Sequence, residues 1–282
     1  MIVDIHTHYV EDVSALSDKL QEDMRNCKIN PLTWVHTEEE YLKATEGADK
    51  VIAFGLRAKA TGWQISNQTV CDFVKRHKEK YLYFASVDPT DADAIEQLRY
   101  EHAYNGAKGV KLAPIYQGLH PLDERYLEIY SYCQKENLPI LFHMGTTFTS
   151  SVPLEYSKPV HIDEIACKFP DLKMVIAHLA HPWEGETIAV IRRNKNVYAD
   201  IAALYYRPWQ FYNSMRLAVE YGCTHKVLFG SDFPATTTMA SIRGVKGVND
   251  VLADSGLKPV PQEITDSIIH ADALAALGIK ED

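Results

Sequence analysis

The chain has 282 residues, 46% hydrophobic and 24% charged, with a formal net charge of −9. That length suits one large α/β barrel or two ordinary domains, and the acidic balance argues against a nucleic-acid backbone as partner. No run of about 18 apolar residues occurs, so no membrane span is expected, and the opening strand pattern leaves no room for a signal peptide.

Eight short apolar runs alternate with helical patterns. The first, Ile2–His6, leads into Thr7-His8. Alternate residues of a strand share a face, so His6 and His8 point together while Val3, Ile5 and Thr7 point the other way. Tyr9–Asp49 is too long for a simple crossover. It holds Asn30-Pro31 and Trp34 and is expected to form an insertion over the barrel mouth. Lys50–Leu56 precedes the helical pattern Gln64–Lys78, with Ile65, Val70, Phe73 and Val74 on one side. Tyr81–Val87 precedes Asp91–Tyr104, which opens on Asp91 as its cap. Gly109–Leu112, Pro139–His143, Lys173–His178 and Val197–Ile201 precede Leu122–Glu136, His161–Phe169, Trp183–Arg193 and Pro208–Tyr221, in that order. Gly222 stands where a C-terminal glycine belongs. Lys226–Gly230 is the eighth run, and Pro261–Leu277 reads as one closing helix ended by Gly278.

This alternation predicts an α/β fold, a distorted (β/α)8 barrel with an insertion after strand one, spanning residues 1–282 as one domain. A doubly wound open sheet is the competing fold. Against it, no Gly-x-Gly-x-x-Gly follows a strand and no phosphate loop is present. The five cysteines (Cys27, Cys71, Cys133, Cys167, Cys223) form no Cys-x-x-Cys pair and read as reduced thiols of a cytoplasmic protein.

In such barrels the site lies at the C-terminal ends of the strands. Those ends carry His6 and His8, then Arg57, Asp88, Lys111, His143, His178, Asp200 and Asp232. One histidine at a strand end is more often a hydrogen-bonded structural residue than a ligand. Here the set, in strand order on one rim, carries the argument. Three imidazoles and a carboxylate suit one divalent transition metal with a position left for water. A bound cation lowers the pKa of that water toward about 7. Lys111 can pair with a carboxylate, contact substrate or be carbamylated to bridge two metals. His181 lies beyond strand six and reads as a supporting or substrate-contacting residue. Tyr205, Tyr206, Arg207 and Trp209 follow strand seven, where a guanidinium suits a carboxylate. His36, His77, His102, His120, His161, His225 and His270 fall in helical or loop patterns and read as structural or solvent-facing.

The chain resembles the amidohydrolase superfamily and, within it, the amidohydrolase-related family. The matching pieces are Asp4-Ile5-His6-Thr7-His8, Gly109–Leu112, Pro139–Gly145, Val175–Leu179 and Leu228–Pro234. They run in family order over nearly the whole chain. The resemblance implies a TIM-barrel enzyme with one metal ion, most often zinc with manganese as alternative, held by His6, His8, His143 and Asp232. It makes His178 the catalytic histidine, with Asp232 sharing proton handling. Lys111 matches the position of the carbamylated lysine of binuclear relatives, which the nearer family does without. One departure is His270-Ala271-Asp272-Ala273, where many members carry an Asn-Ala pair.

The leading expectation is a metal-dependent hydrolase acting through a metal-activated water on a small, carboxylated substrate. Arg57, Lys111, His181 and Arg207 are its candidate substrate contacts. The alternative is a non-oxidative metal-dependent decarboxylase of the aminocarboxymuconate-semialdehyde or resorcylate type. A metal-independent lactonase and a non-catalytic metal-binding barrel rank lower. The expected partner is a small molecule, without nucleic acid or membrane, and homodimers are common in the resembled family.

Overall fold

The computed structural model describes residues 1–253 and 255–280. Eight strands form one sheet: β1 (Val3–His8), β2 (Lys50–Phe54), β3 (Tyr81–Ser86), β4 (Gly109–Leu112), β5 (Ile140–Phe142), β6 (Met174–Ile176), β7 (Val197–Asp200) and β8 (Val227–Leu228). Each pairs in parallel with the next. Between the last and the first, the Ile5 N–H donates to the Phe229 carbonyl (3.2 Å), and the Asp232 N–H to the His6 carbonyl (2.8 Å). The barrel is nearly closed rather than regular there, because β8 is only two residues long. Gly230 permits that closure: a Cβ at this position would lie 2.8 Å from the His6 Cβ. The (β/α)8 expectation therefore holds.

The strands are buried on both faces, which is why they read as continuous apolar runs. The barrel interior is filled by Val3, Ile5, Phe54, Phe84, Leu141 and Val175, and Leu274 and Leu277 of the final helix join the same cluster. One expectation fails here. Strict alternation would put Val3 and Ile5 opposite the histidines, yet Ile5 packs in the interior and the His6 ring packs tilted against interior Phe54 (centroids 5.2 Å apart). The register of β1 against β2 shifts between Asp4 and Thr7. A bulge adds a residue on one strand and re-aims the side chains that follow. Thr7 faces outward, its hydroxyl 2.5 Å from that of Tyr41.

Two further expectations are corrected. The helix after β3 spans Ala94–Ala103, and Asp91 lies outside it, pairing with Arg57 and Lys59 instead of capping. The closing helix is two, Gln262–Ile269 and Ala273–Leu277, separated at Asp272, whose side chain accepts from the Ala275 N–H. A helix at Thr238–Lys246 has no counterpart in the sequence reading. The long segment after β1 contains helices Asp18–Asn26 and Glu38–Ala44, the latter opened by a Thr37/Glu40 capping box. Its Cys27, Ile29, Thr33 and Trp34 border the cavity at the barrel mouth, as expected of an insertion there. Among the described residues, no helix is long and apolar enough to cross a membrane.

Candidate active site

A cavity of about 680 Å³ opens at the C-terminal ends of the strands. His6, His178 and Asp232 converge beneath it, with one ligand atom from each within 4.8 Å of the others. His6 Nε2 stands 3.2 Å from Asp232 Oδ1, and His8 Nε2 stands 3.4 Å from the same oxygen. The His143 ring lies with its centroid 5.3 Å from that of His178, and its Nε2 donates to the Thr146 carbonyl (3.2 Å). Position and backbone shape aim these groups. Asp232 has φ 65 and His178 φ 57, left-handed conformations that turn the chain sharply at the ends of β8 and β6. Gly145 makes the tight path after β5 possible, since a Cβ there would meet the His181 carbonyl oxygen at 2.6 Å.

Two buried carboxylates hold this arrangement. Asp200 Oδ2 lies 2.9 Å from His6 Nδ1, while its Oδ1 accepts from the His178 and Ala202 N–H groups (2.8 and 3.0 Å). A carboxylate only accepts, so the His6 proton sits on Nδ1 and the lone pair of Nε2 faces Asp232 and Lys111. His178 Nδ1 likewise donates to the Ala202 carbonyl (3.0 Å), leaving its Nε2 lone pair free. Asp4 accepts from the Ser231 N–H (2.9 Å), the Thr238 hydroxyl (2.6 Å) and the His6 N–H (3.3 Å), tying β1 to the turn that carries Asp232. Sequence reading placed Asp200 on the rim without a role and gave Asp4 none. The signal for Asp4 was its place in the Asp-x-His-x-His run.

Burial sets the electrostatics. It pushes Asp232 and Asp4 up to about 6 and raises Asp200. It lowers His6, His8, His143 and His178 well below the usual imidazole value, and Lys111 to about 7. Lys111 is 1% exposed, with its amine 3.3 Å from His6 Nε2 and 4.7 Å from the Phe54 ring centre. His181 borders the cavity and is held low by burial and then by Arg207. Arg207 also borders it, stacked 4.5 Å over Tyr206. Arg57 does not: its Nη2 lies 3.3 Å from Asp91 and its side chain faces a separate surface depression. The expected substrate contact at Arg57 is corrected accordingly. The short hairpin Arg57–Ala58/Trp63–Gln64 delivers Trp63 to the cavity instead.

The donor set fits a divalent cation. A histidine lone pair and a carboxylate oxygen at 3.2 Å are two acceptors that repel unless positive charge or a proton lies beside both. His8 Nδ1 is in addition buried without a hydrogen-bond partner. Imidazole and carboxylate together suit zinc, manganese and related ions. The cavity walls are aromatic: Trp34 and Trp63 cross at 5.4 Å, and Phe148 lies 5.5 Å from Tyr116 and 6.1 Å from Trp63, centroid to centroid.

Comparison with known proteins follows this geometry. An uncharacterised TIM-barrel protein from Bordetella bronchiseptica superposes with a TM-score of 0.72 at 20% identity, covering 98% of this chain and 99% of that one. A probable 2-pyrone-4,6-dicarboxylic acid hydrolase from Acinetobacter baumannii, with citric acid bound, gives 0.65 at 14% identity, covering 99% of each chain. A dihydroxybenzoic acid decarboxylase from a Polaromonas species, with bound manganese and 2-nitroresorcinol, gives 0.67 at 12% identity, covering 98% of this chain and 96% of that one. At these identities the likeness speaks for the fold. A comparison with curated proteins finds no match to the sequence. The amidohydrolase family pattern matches residues 3–279, and the chain belongs to that family.

Proposed function

We propose that this protein is a metal-dependent, non-oxidative decarboxylase of a small aromatic carboxylic acid. The observation that carries the reading is the aromatic-walled cavity set directly over a buried imidazole–carboxylate floor. A planar ring fits between Trp34, Phe148 and Tyr116, because aromatic faces favour offset and edge contacts at these separations. Arg207 on the rim suits a carboxylate of the substrate. Support also comes from the company of the fold: other matched structures are 5-carboxyvanillate and 2,6-dihydroxybenzoate decarboxylases.

In this proposal His6, His8, His143 and Asp232 hold the divalent ion. When bound, it supplies Lewis-acid charge for substrate oxygen atoms. His178 moves the proton. Its backbone is tied to Asp200 and its Nδ1 to the Ala202 carbonyl, so its Nε2 stays beside Asp232. His143 is tied through Nε2 to the Thr146 carbonyl, and its ring packs against those of Tyr116 and His178 (centroids 4.9 and 5.3 Å away). The lone pair of His178 Nε2 would take a proton from solvent entering the cavity and deliver it to the ring carbon bearing the carboxylate. The bond between that carbon and the carboxylate then breaks, carbon dioxide leaves, and the electron pair restores the ring. Lys111 and His181 border the same cavity, where cationic and imidazole groups meet an anionic substrate.

Hydrolysis is the second reading, favoured by the likeness to the Acinetobacter hydrolase. The two separate by product. Manganese-loaded protein incubated with hydroxylated benzoic acids should release carbon dioxide and an arene one carboxyl group poorer. Turnover of a lactone or amide that keeps every carboxyl carbon, with none of the benzoates consumed, would refute the decarboxylase reading.

A further inference from the structure

The lone pair of His6 Nε2 meets two groups. One is Asp232 Oδ1 at 3.2 Å, itself an acceptor. The other is the amine of Lys111 at 3.3 Å. Lysine is almost never so fully buried unless its charge is paired. Here its stem rises from β4 over the Phe54 ring, and the carboxylates that act on its charge are Asp200 and Asp232. The amine thus stands where the site needs positive charge, against the same imidazole nitrogen that an ion would use. The two arginines nearest the mouth, both only partly buried, do otherwise: Arg207 bonds the Ala203 carbonyl, and Arg57 turns outward to Asp91.

We propose that the Lys111 amine is a resident stand-in for the divalent ion. It occupies the His6 Nε2 lone pair and balances Asp200 and Asp232 until an ion displaces it. This rests on the divalent-ion reading of the site. An ammonium group and a metal ion cannot share one lone pair, so loading requires the amine to move aside. The ion's net affinity is lowered by the contacts that the amine gives up and by the repulsion between the two cations. Lys111 therefore does two things: it holds the ion-free site together, and it sets how tightly the ion is bound.

The test uses the full chain at a single pH. Wild type, Lys111→Met (similar length, no charge) and Lys111→Gln (a neutral polar end) are stripped with chelator and titrated with manganese against a competing metal dye. Thermal melts are recorded with and without the ion. Both variants should bind manganese at least roughly tenfold tighter than wild type. They should also melt lower without the ion and gain more from it. If a variant folds only when loaded, its affinity is taken from chelator competition on the loaded protein. Equal or weaker affinity in the variants overturns the inference, as does a carbamate on Lys111 in the intact mass. If neither wild type nor the variants take up any ion, the divalent-ion reading fails as well. Wild-type loading with unchanged variants sinks only the role given to Lys111.

Discussion

Asp4 offers the sharpest check on how the site is built. Its carboxylate is fully buried and accepts from three groups: the Ser231 N–H, the Thr238 hydroxyl and the His6 N–H. Asp4→Ala strands those donors in the buried interior of the protein. Each buried unsatisfied donor costs roughly 1–3 kcal/mol. The two closer bonds alone put the loss at roughly 2–6 kcal/mol, a fall of roughly 3–10 °C in melting temperature for a chain of this length. Asp4→Asn keeps an acceptor oxygen for the two N–H groups, and the Thr238 hydroxyl can turn to accept from the amide. It should cost about 1 kcal/mol. The sign of the pH effect is also set. Burial raises this carboxyl from 3.8 to about 6, so the folded state holds its proton more tightly. The stability it contributes is full below the unfolded value and declines as pH rises through the folded one. Asp4→Asn should lack that decline, and the gap between the two proteins should narrow from pH 5 to pH 7. Urea and thermal unfolding followed by circular dichroism measure all three proteins. An alanine variant within 1 kcal/mol of wild type would refute the claim that Asp4 pins β1 to the turn at Ser231.

Three other outcomes are expected. His178→Asn should retain the ion but lose roughly 10²–10⁴-fold in turnover, whereas His143→Asn should lose ion retention; metal content and rate on the same preparations decide, and loss of the ion from both would make His178 a ligand. Asp200→Asn should lower ion affinity roughly 10–100-fold, because the group that fixes the His6 proton on Nδ1 is weakened; a chelator titration that finds no change would exclude that role. Gly230→Ala should destabilise by roughly 1–3 kcal/mol through overpacking, since its Cβ would fall 2.8 Å from that of His6; unfolding midpoints equal to wild type would show that the β8–β1 seam has slack.

Periodicity and strand order were legible in the chain. Buried parallel strands leave continuous apolar runs, so all eight could be placed, β4 with both ends as expected. His6, His178 and Asp232 could be singled out because a barrel brings the C-terminal ends of its strands to one rim, whatever their distance in sequence. The two cis X-Pro bonds, His181-Pro182 and Phe233-Pro234, fall in motifs already picked out for their polar residues, but their isomer could not be read from residue order.

What the sequence determined by itself was the order of elements and the identity of the polar rim, because both follow from local patterns and one architectural rule. Tertiary structure decided which way those residues face. The bulge in β1 is a pairing between strands, invisible in the spacing of His6 and His8, and it puts Ile5 and His6 on the same interior. Asp91 looked like a helix cap but is taken by Arg57 and Lys59, a competition that only the fold brings about. Arg57 sits at a strand end like the others, yet the hairpin after β2 turns it outward and brings Trp63 in. The roles of Asp4 and Asp200 were hidden for the same reason. A buried carboxylate is defined by the donors around it, and for each of these two at least one donor comes from a distant segment, 227 residues away for Asp4 to Ser231 and 194 for Asp200 to His6.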